Sequence, residues 1–146
     1  MKKALVISAC FILSGCYSYE EHLKTEFLTP VCIKPFVDYK YKTCGDIRFK
    51  IDEREFLIPS DFVTDLANVP KIAWPIMSPF HASLIKPAIV HDWFYRKTCD
   101  FTRIDADTIL KHMLKNNDVA GFKVNVIFYA VRLFGWNYYN EDYCDG

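Results

Sequence analysis

"AIVHDWFYRK", residues 88–97, sets a histidine, an aspartate and a tyrosine inside a stretch that otherwise reads as buried, apolar chain. Read as a helix running from about Pro87 through Lys97, it puts His91 and Tyr95 one turn apart on one face, with Asp92 rotated by about 100° towards a neighbouring face. A buried imidazole needs both ring nitrogens satisfied, and a carboxylate from an antiparallel neighbouring helix does this while fixing the tautomer. The decisive question is which segment supplies that carboxylate.

The chain on the C-terminal side answers it. A second helix is expected from about Ile104 to Asn116, opened by Thr102 with Asp105 three residues on, in the manner of a capping box. Asp105 is thereby committed to the helix start, which leaves Asp107 to reach across to His91 and Tyr95. A third helix is expected over about Val119 to Trp136, with Phe122, Val126, Tyr129, Val131 and Leu133 forming most of an apolar face.

On the N-terminal side the pattern changes period. Ile47, Phe49 and Ile51 alternate, Asp52, Glu53 and Arg54 make a turn, and Phe56 and Ile58 follow, which reads as a β-hairpin. Prolines at 59, 70, 75, 79 and 87 then exclude any long helix or central strand and predict a structured loop. Trp74, Ile76, Met77 and Phe80 give that loop an apolar tip, suited either to closing over the core or to a membrane interface. The expected fold is therefore α+β: a small N-terminal hairpin or sheet, a proline-rich loop and about three C-terminal helices, stapled by disulfides.

With 146 residues, 51% of them hydrophobic and 16% aromatic, the chain is long enough for one core and too short for two. Residues 31–146 are expected to form the globular domain. Ahead of it, Lys2 and Lys3 precede an apolar run from Ala4 to Leu13, the layout of an export signal over residues 1–15 and too short to span a bilayer as a mature helix. The run ends in Leu13-Ser14-Gly15-Cys16, which resembles the lipobox of bacterial lipoproteins. That resemblance implies acylation of Cys16, a lipidated tether over residues 16–30 and a partner in the lipid bilayer. Tyr17 stands where an aspartate usually directs retention in the inner membrane, so the resemblance points to the outer membrane, facing the periplasm.

Losing Lys2 and Lys3 leaves 16 basic residues against 18 acidic ones. Such a balance lacks the concentrated basic face that nucleic-acid binding needs. Setting aside Cys10 and Cys16, four cysteines remain, and an even set in an exported chain favours two disulfides. Of the three pairings, Cys32 with Cys44 and Cys99 with Cys144 is the one favoured here. No CxxC or HxxxH spacing favours zinc.

Four ordered blocks, "IPSDFVTDLANVPKIAWP", "AIVHDWFYRK", "RIDADTILKHML" and "YAVRLFGW", resemble the DUF1353 domain family of bacteriophages and prophages over roughly residues 47–136. The resemblance implies a phage or prophage origin and marks Asp65, His91, Asp92, Tyr95 and Asp107 as matching the family's polar motif positions. A shorter likeness is to secreted phospholipase A2, in which an HDxxY helix is followed by a helix carrying an aspartate. It implies His91 as the base on water, Asp107 and Tyr95 as its holders, and Asp92 as a calcium ligand. The chain has no glycine between Gly45 and Gly121, so a calcium ion would need Asp65 and carbonyls of the TDLANVP loop in place of a glycine-rich loop.

Two functions follow as expectations. One is an envelope hydrolase acting on phospholipid through His91. The other is a non-catalytic module, such as a superinfection-exclusion or host-surface-modifying lipoprotein, that engages an outer-membrane protein. In the second, His91 and Tyr95 are core polar groups satisfied by Asp65 or Asp107, and Asp92 with Arg96 is a plain helix pair.

Overall fold

The computed structural model describes residues 23–66, 78, 81–96 and 101–139. Among these residues six short strands come first: β1 (Thr25–Phe27), β2 (Ile33–Pro35), β3 (Tyr41–Thr43), β4 (Ile47–Ile51), β5 (Arg54–Ile58) and β6 (Val63–Thr64). Three helices follow, α1 (Ala82–Arg96), α2 (Arg103–Asn116) and α3 (Gly121–Phe134), the last running into a 3-10 turn, Gly135–Asn137. The strands form two antiparallel three-stranded sheets, ordered β1-β4-β5 and β2-β3-β6. The α+β class and the 47–58 hairpin are as the sequence predicts.

The hairpin closes at Asp52, whose φ of 51° lies in the left-handed region that an aspartate tolerates. Period-two alternation turns Ile47, Phe49 and Ile51 into the core, with Ile47 and Phe49 fully buried. Phe49 stacks on Phe27 and Phe56 and meets Phe94 of α1 edge-on, so one aromatic cluster joins the first sheet to the helices. A second, smaller cluster gathers Leu84 of α1, Leu110 and Leu114 of α2, and Val124 and Ile127 of α3.

Cys32 and Cys44 are bonded, as expected, and tie the residue before β2 to the residue after β3. Cys99 and Cys144 lie outside the described residues, as do residues 1–22 with Cys16, and the loop positions Trp74, Ile76, Met77 and Phe80.

Three expectations are corrected. The tether does not extend to residue 30: Thr25, Glu26 and Phe27 pair in register with Ile51, Lys50 and Phe49, so the sheet begins inside it. The first helix starts at Ala82 rather than near Pro87, which sits within it. A proline there removes the N–H that would bond the carbonyl four residues back. That carbonyl, of Ser83, instead accepts from the Asn117 side-chain amide at 3.0 Å, so the helix passes through Pro87 with the orphaned group satisfied. Finally, α3 buries Val124 and Ile127, while Phe122, Val126, Tyr129 and Leu133 of the expected apolar face point outward. Among the described residues no helix is long and apolar enough to cross a membrane.

Candidate functional site

The α2 start is fixed locally. Thr102 and Asp105 form the capping box: the Thr102 N–H donates to Asp105 Oδ2 at 2.9 Å, and the Asp105 N–H donates to Thr102 Oγ1 at 3.4 Å. With the first turn anchored this way, Asp107 two residues on faces α1 and is fully buried.

Three donors converge on its carboxylate. His91 Nε2 lies 2.8 Å from Oδ1, the Tyr95 hydroxyl donates to the same oxygen, and Arg132 Nη1 of α3 donates to Oδ2 at 2.8 Å. Asp107 therefore connects all three helices. Burial alone would raise its carboxyl, but the hydrogen bonds from His91, Tyr95 and Arg132 outweigh burial and hold it below the usual carboxylate range. Burial and the Asp107 carboxylate push the Tyr95 phenol up, so it remains a donor. A carboxylate that accepts at Nε2 requires the proton there, which makes Nδ1 of a neutral His91 the acceptor nitrogen. No described residue bonds to Nδ1.

Asp92 faces the other way, towards the second sheet. It accepts from the Thr64 hydroxyl of β6 and from the Asp65 N–H at 3.3 Å, and lies 3.3 Å from Arg96 Nη2. Arg96 also reaches Asp65 at 3.4 Å and donates to the Val63 carbonyl at 3.0 Å. Two carboxylates thus share one guanidinium, and the group as a whole fastens β6 to α1. Burial, with the neighbouring Asp65 charge, raises Asp92 to about 7.

Among the described residues this arrangement offers no calcium site, and the TDLANVP carbonyls from residue 67 onwards lie outside them. A calcium site needs six or more oxygens directed at one point. Here Arg96 stands between Asp65 and Asp92, supplying the positive charge, and among the described residues no three His, Cys, Asp or Glu side chains could hold a metal ion.

Of the residues singled out in the sequence, the structure brings together His91, Tyr95 and Asp107 in one group, and Asp92 and Asp65 in another. Sequence reasoning misses Arg132 and Thr64. The signal for Arg132 is a cation directly after Val131, one of the residues that α3 turns towards α2.

The 3-10 turn completes the cluster. A Cβ on Gly135 would meet the Tyr95 hydroxyl oxygen at 2.8 Å and Cε2 at 3.2 Å. The ring cannot retreat freely, because the His91 ring packs on it with centroids 4.0 Å apart. Gly135→Ala is therefore expected to push the phenol off Asp107 and lower stability by about 1–3 kcal/mol. Adding Tyr95→Phe, which removes the clashing oxygen, should make the pair less damaging than the two single losses added. Urea unfolding of the three variants measures this.

Asp92 gives the domain a pH signature. Its folded value near 7 exceeds the unfolded value of 3.8, so the folded state holds more protons between the two. The proton-linked stability is then full below about pH 4 and is lost as pH rises through 7. Asp92→Asn cannot titrate, so its melting temperature relative to the native chain is expected to improve steadily from pH 5 to pH 8. A constant difference across that range would contradict the shift.

Residues 41–131 match the family described as "Protein of unknown function (DUF1353)". The chain belongs to this family. It is also 28% identical over 79 residues to "Uncharacterized protein y4jT" of Sinorhizobium fredii (strain NBRC 101917 / NGR234), a match covering 53% of this chain and 23% of that protein. The chain thus spans less than a quarter of the relative it matches. No solved structure matches it. The DUF1353 match takes in β3 through most of α3, and so contains the Asp92 group together with His91, Tyr95 and Asp107, while Arg132 lies one residue beyond it.

Proposed function

We propose that this DUF1353 protein is a lipid-anchored, periplasm-facing envelope module of phage or prophage type that acts by binding, and that the Asp107 cluster is its internal joint. One observation carries the binding reading: Asp107 is fully buried and committed to three donors, and the imidazole it holds is itself only 5% exposed. A general base must come within hydrogen-bond reach of the water it activates, whereas a structural network needs only internal partners. The anchor rests on the sequence, on Lys2 and Lys3, the apolar run and the Leu13-Ser14-Gly15-Cys16 lipobox. An outer-membrane protein of the host is the partner that suits such a position.

The second reading is a hydrolase of envelope phospholipid with His91 as base. A specific observation favours it: with Nε2 held by Asp107, His91 Nδ1 has no bonding partner among the described residues. It would accept a proton from a water that reached it.

A vesicle assay separates the two. The full chain, reconstituted in phosphatidylethanolamine and phosphatidylglycerol vesicles with millimolar calcium, is expected to release no fatty acid. His91→Gln, which keeps an N–H towards Asp107 and removes the base, should leave exclusion of a challenging phage intact. Fatty-acid release that His91→Gln abolishes without changing the circular dichroism would establish the hydrolase instead. Palmitate labelling of the native chain, absent from Cys16→Ser, tests the anchor.

A further inference from the structure

The outward side of α3 carries an apolar stripe that the helix does not need for its own packing. Phe122, Val126, Tyr129 and Leu133 follow one another at spacings of four, three and four, and Trp136 continues the line three residues on. Residues so spaced share one face of a helix. Phe122 is 62% exposed and Leu133 66%, whereas the opposite side buries Val124 and Ile127 against Leu110 and Leu114 of α2. A contiguous exposed apolar face of this kind marks a docking surface rather than chance exposure.

Charge and composition indicate what covers it. From Val119 to Tyr139 the chain has two cations, Lys123 and Arg132, and no acid. Arg132 is committed to Asp107, and Lys123 lies beside the Phe122 ring. Aromatic and aliphatic residues on one face, with basic charge at its margin, are the pattern of a helix lying in the plane of a membrane interface, where tryptophan and tyrosine sit at headgroup level.

The path of the chain points the same way. Asn116, the last residue of α2, donates its side-chain amide to the Leu23 carbonyl at 3.1 Å. The N-terminal segment thus enters the domain close to where α3 begins, at the Phe122 end of the stripe. From Leu23 back to Cys16 is seven residues, a reach of at most about 25 Å. An acyl group on Cys16 would hold that end of α3 near the bilayer.

We infer that α3 lies on an anionic phospholipid surface, with its stripe sunk among the headgroups and Lys123 at the phosphates. This rests on the proposed Cys16 anchor for proximity, though the stripe itself does not. A second copy of the chain is the rival occupant. A twofold contact through α3 would bring the Lys123-bearing helix against its own copy, and α3 itself has no acid to answer the charge, whereas a phosphate surface answers it directly.

The test uses the full chain in phosphatidylethanolamine and phosphatidylglycerol vesicles, some made with lipid brominated in the acyl chains, which quenches nearby tryptophan. The native protein is expected to lose at least a quarter of its tryptophan emission, and Trp136→Phe to lose most of that quenching. Phe122→Ser with Leu133→Ser, both outside the core, should weaken the quenching at least threefold without shifting the melting temperature. An acylated chain whose Trp136 stays unquenched overturns the inference and leaves the anchor intact. A chain that takes up no palmitate overturns the anchor, and vesicle cosedimentation of that same chain then decides the stripe. Retained binding that the double substitution removes supports it, and no binding overturns it. Sedimentation as a dimer that the double substitution splits, with Trp136 unquenched, assigns the stripe to a second copy.

Discussion

Asp107→Ala is expected to remove about 3–5 kcal/mol of stability, a large part of the 5–15 kcal/mol typical of a domain. The reason is the asymmetry between making and breaking a buried polar group. Each bond to Asp107 is worth little net, because water offered equivalent partners in the unfolded chain. Removing the carboxylate, however, leaves the His91 N–H, the Tyr95 hydroxyl and the Arg132 guanidinium without their acceptor, two of them on buried residues. Asp107→Asn should cost less. Its remaining oxygen can still serve His91 and Tyr95, while its amide turns donor against donor towards Arg132. The lowered Asp107 carboxyl also carries a sign: its contribution is present above the usual carboxylate range and is lost as pH falls through the folded value. Urea unfolding at neutral pH measures the loss, and a change under about 1 kcal/mol would show that the donors find other partners.

Phe94→Ala is expected to cost about as much, 3–5 kcal/mol, through a different mechanism. Phe94 is fully buried where α1 meets the first sheet, edge-on to Phe49 and Phe56 and with its centroid 4.5 Å from that of Phe101. No polar group is exposed by the truncation. The cost is lost transfer free energy together with a cavity that three other rings, each fixed by its own neighbours, cannot collapse to fill. Phe94→Leu should recover a good part of it. Thermal melts of the two variants separate cavity from chemistry, since a purely chemical effect would leave alanine and leucine alike.

The sequence makes some of this legible for physical reasons. The 47–58 hairpin shows because alternation over five residues is long enough to register and one face of β4 is buried throughout. The meeting of His91, Tyr95 and Asp107 follows from helix geometry and from the Thr102 and Asp105 cap, which together leave one aspartate free to reach across. The Cys32–Cys44 bond follows from closeness in sequence and an even cysteine set.

Other parts are hidden for equally physical reasons. Strands β1, β2 and β3 have three residues each, too few for a period to show. Pro87 reads as a helix boundary because its tolerance depends on Asn117, thirty residues away, capping the Ser83 carbonyl. α3 carries apolar residues on two sides, and periodicity alone cannot say which side meets α2. Asp92 reads as available because the groups that occupy it, Thr64 and the Asp65 N–H, come from the end of a two-residue strand and the residue after it, whose position no local pattern reveals.

The most direct measurement is a double-mutant cycle between Asp107 on α2 and Arg132 on α3, read by urea unfolding of Asp107→Ala, Arg132→Ala and the double variant. If the buried carboxylate joins the helices, the two losses are strongly non-additive, with a coupling above about 1.5 kcal/mol. Losses that add to within about 0.5 kcal/mol would contradict the joint, leaving Asp107 as a local support of His91 and Tyr95 alone.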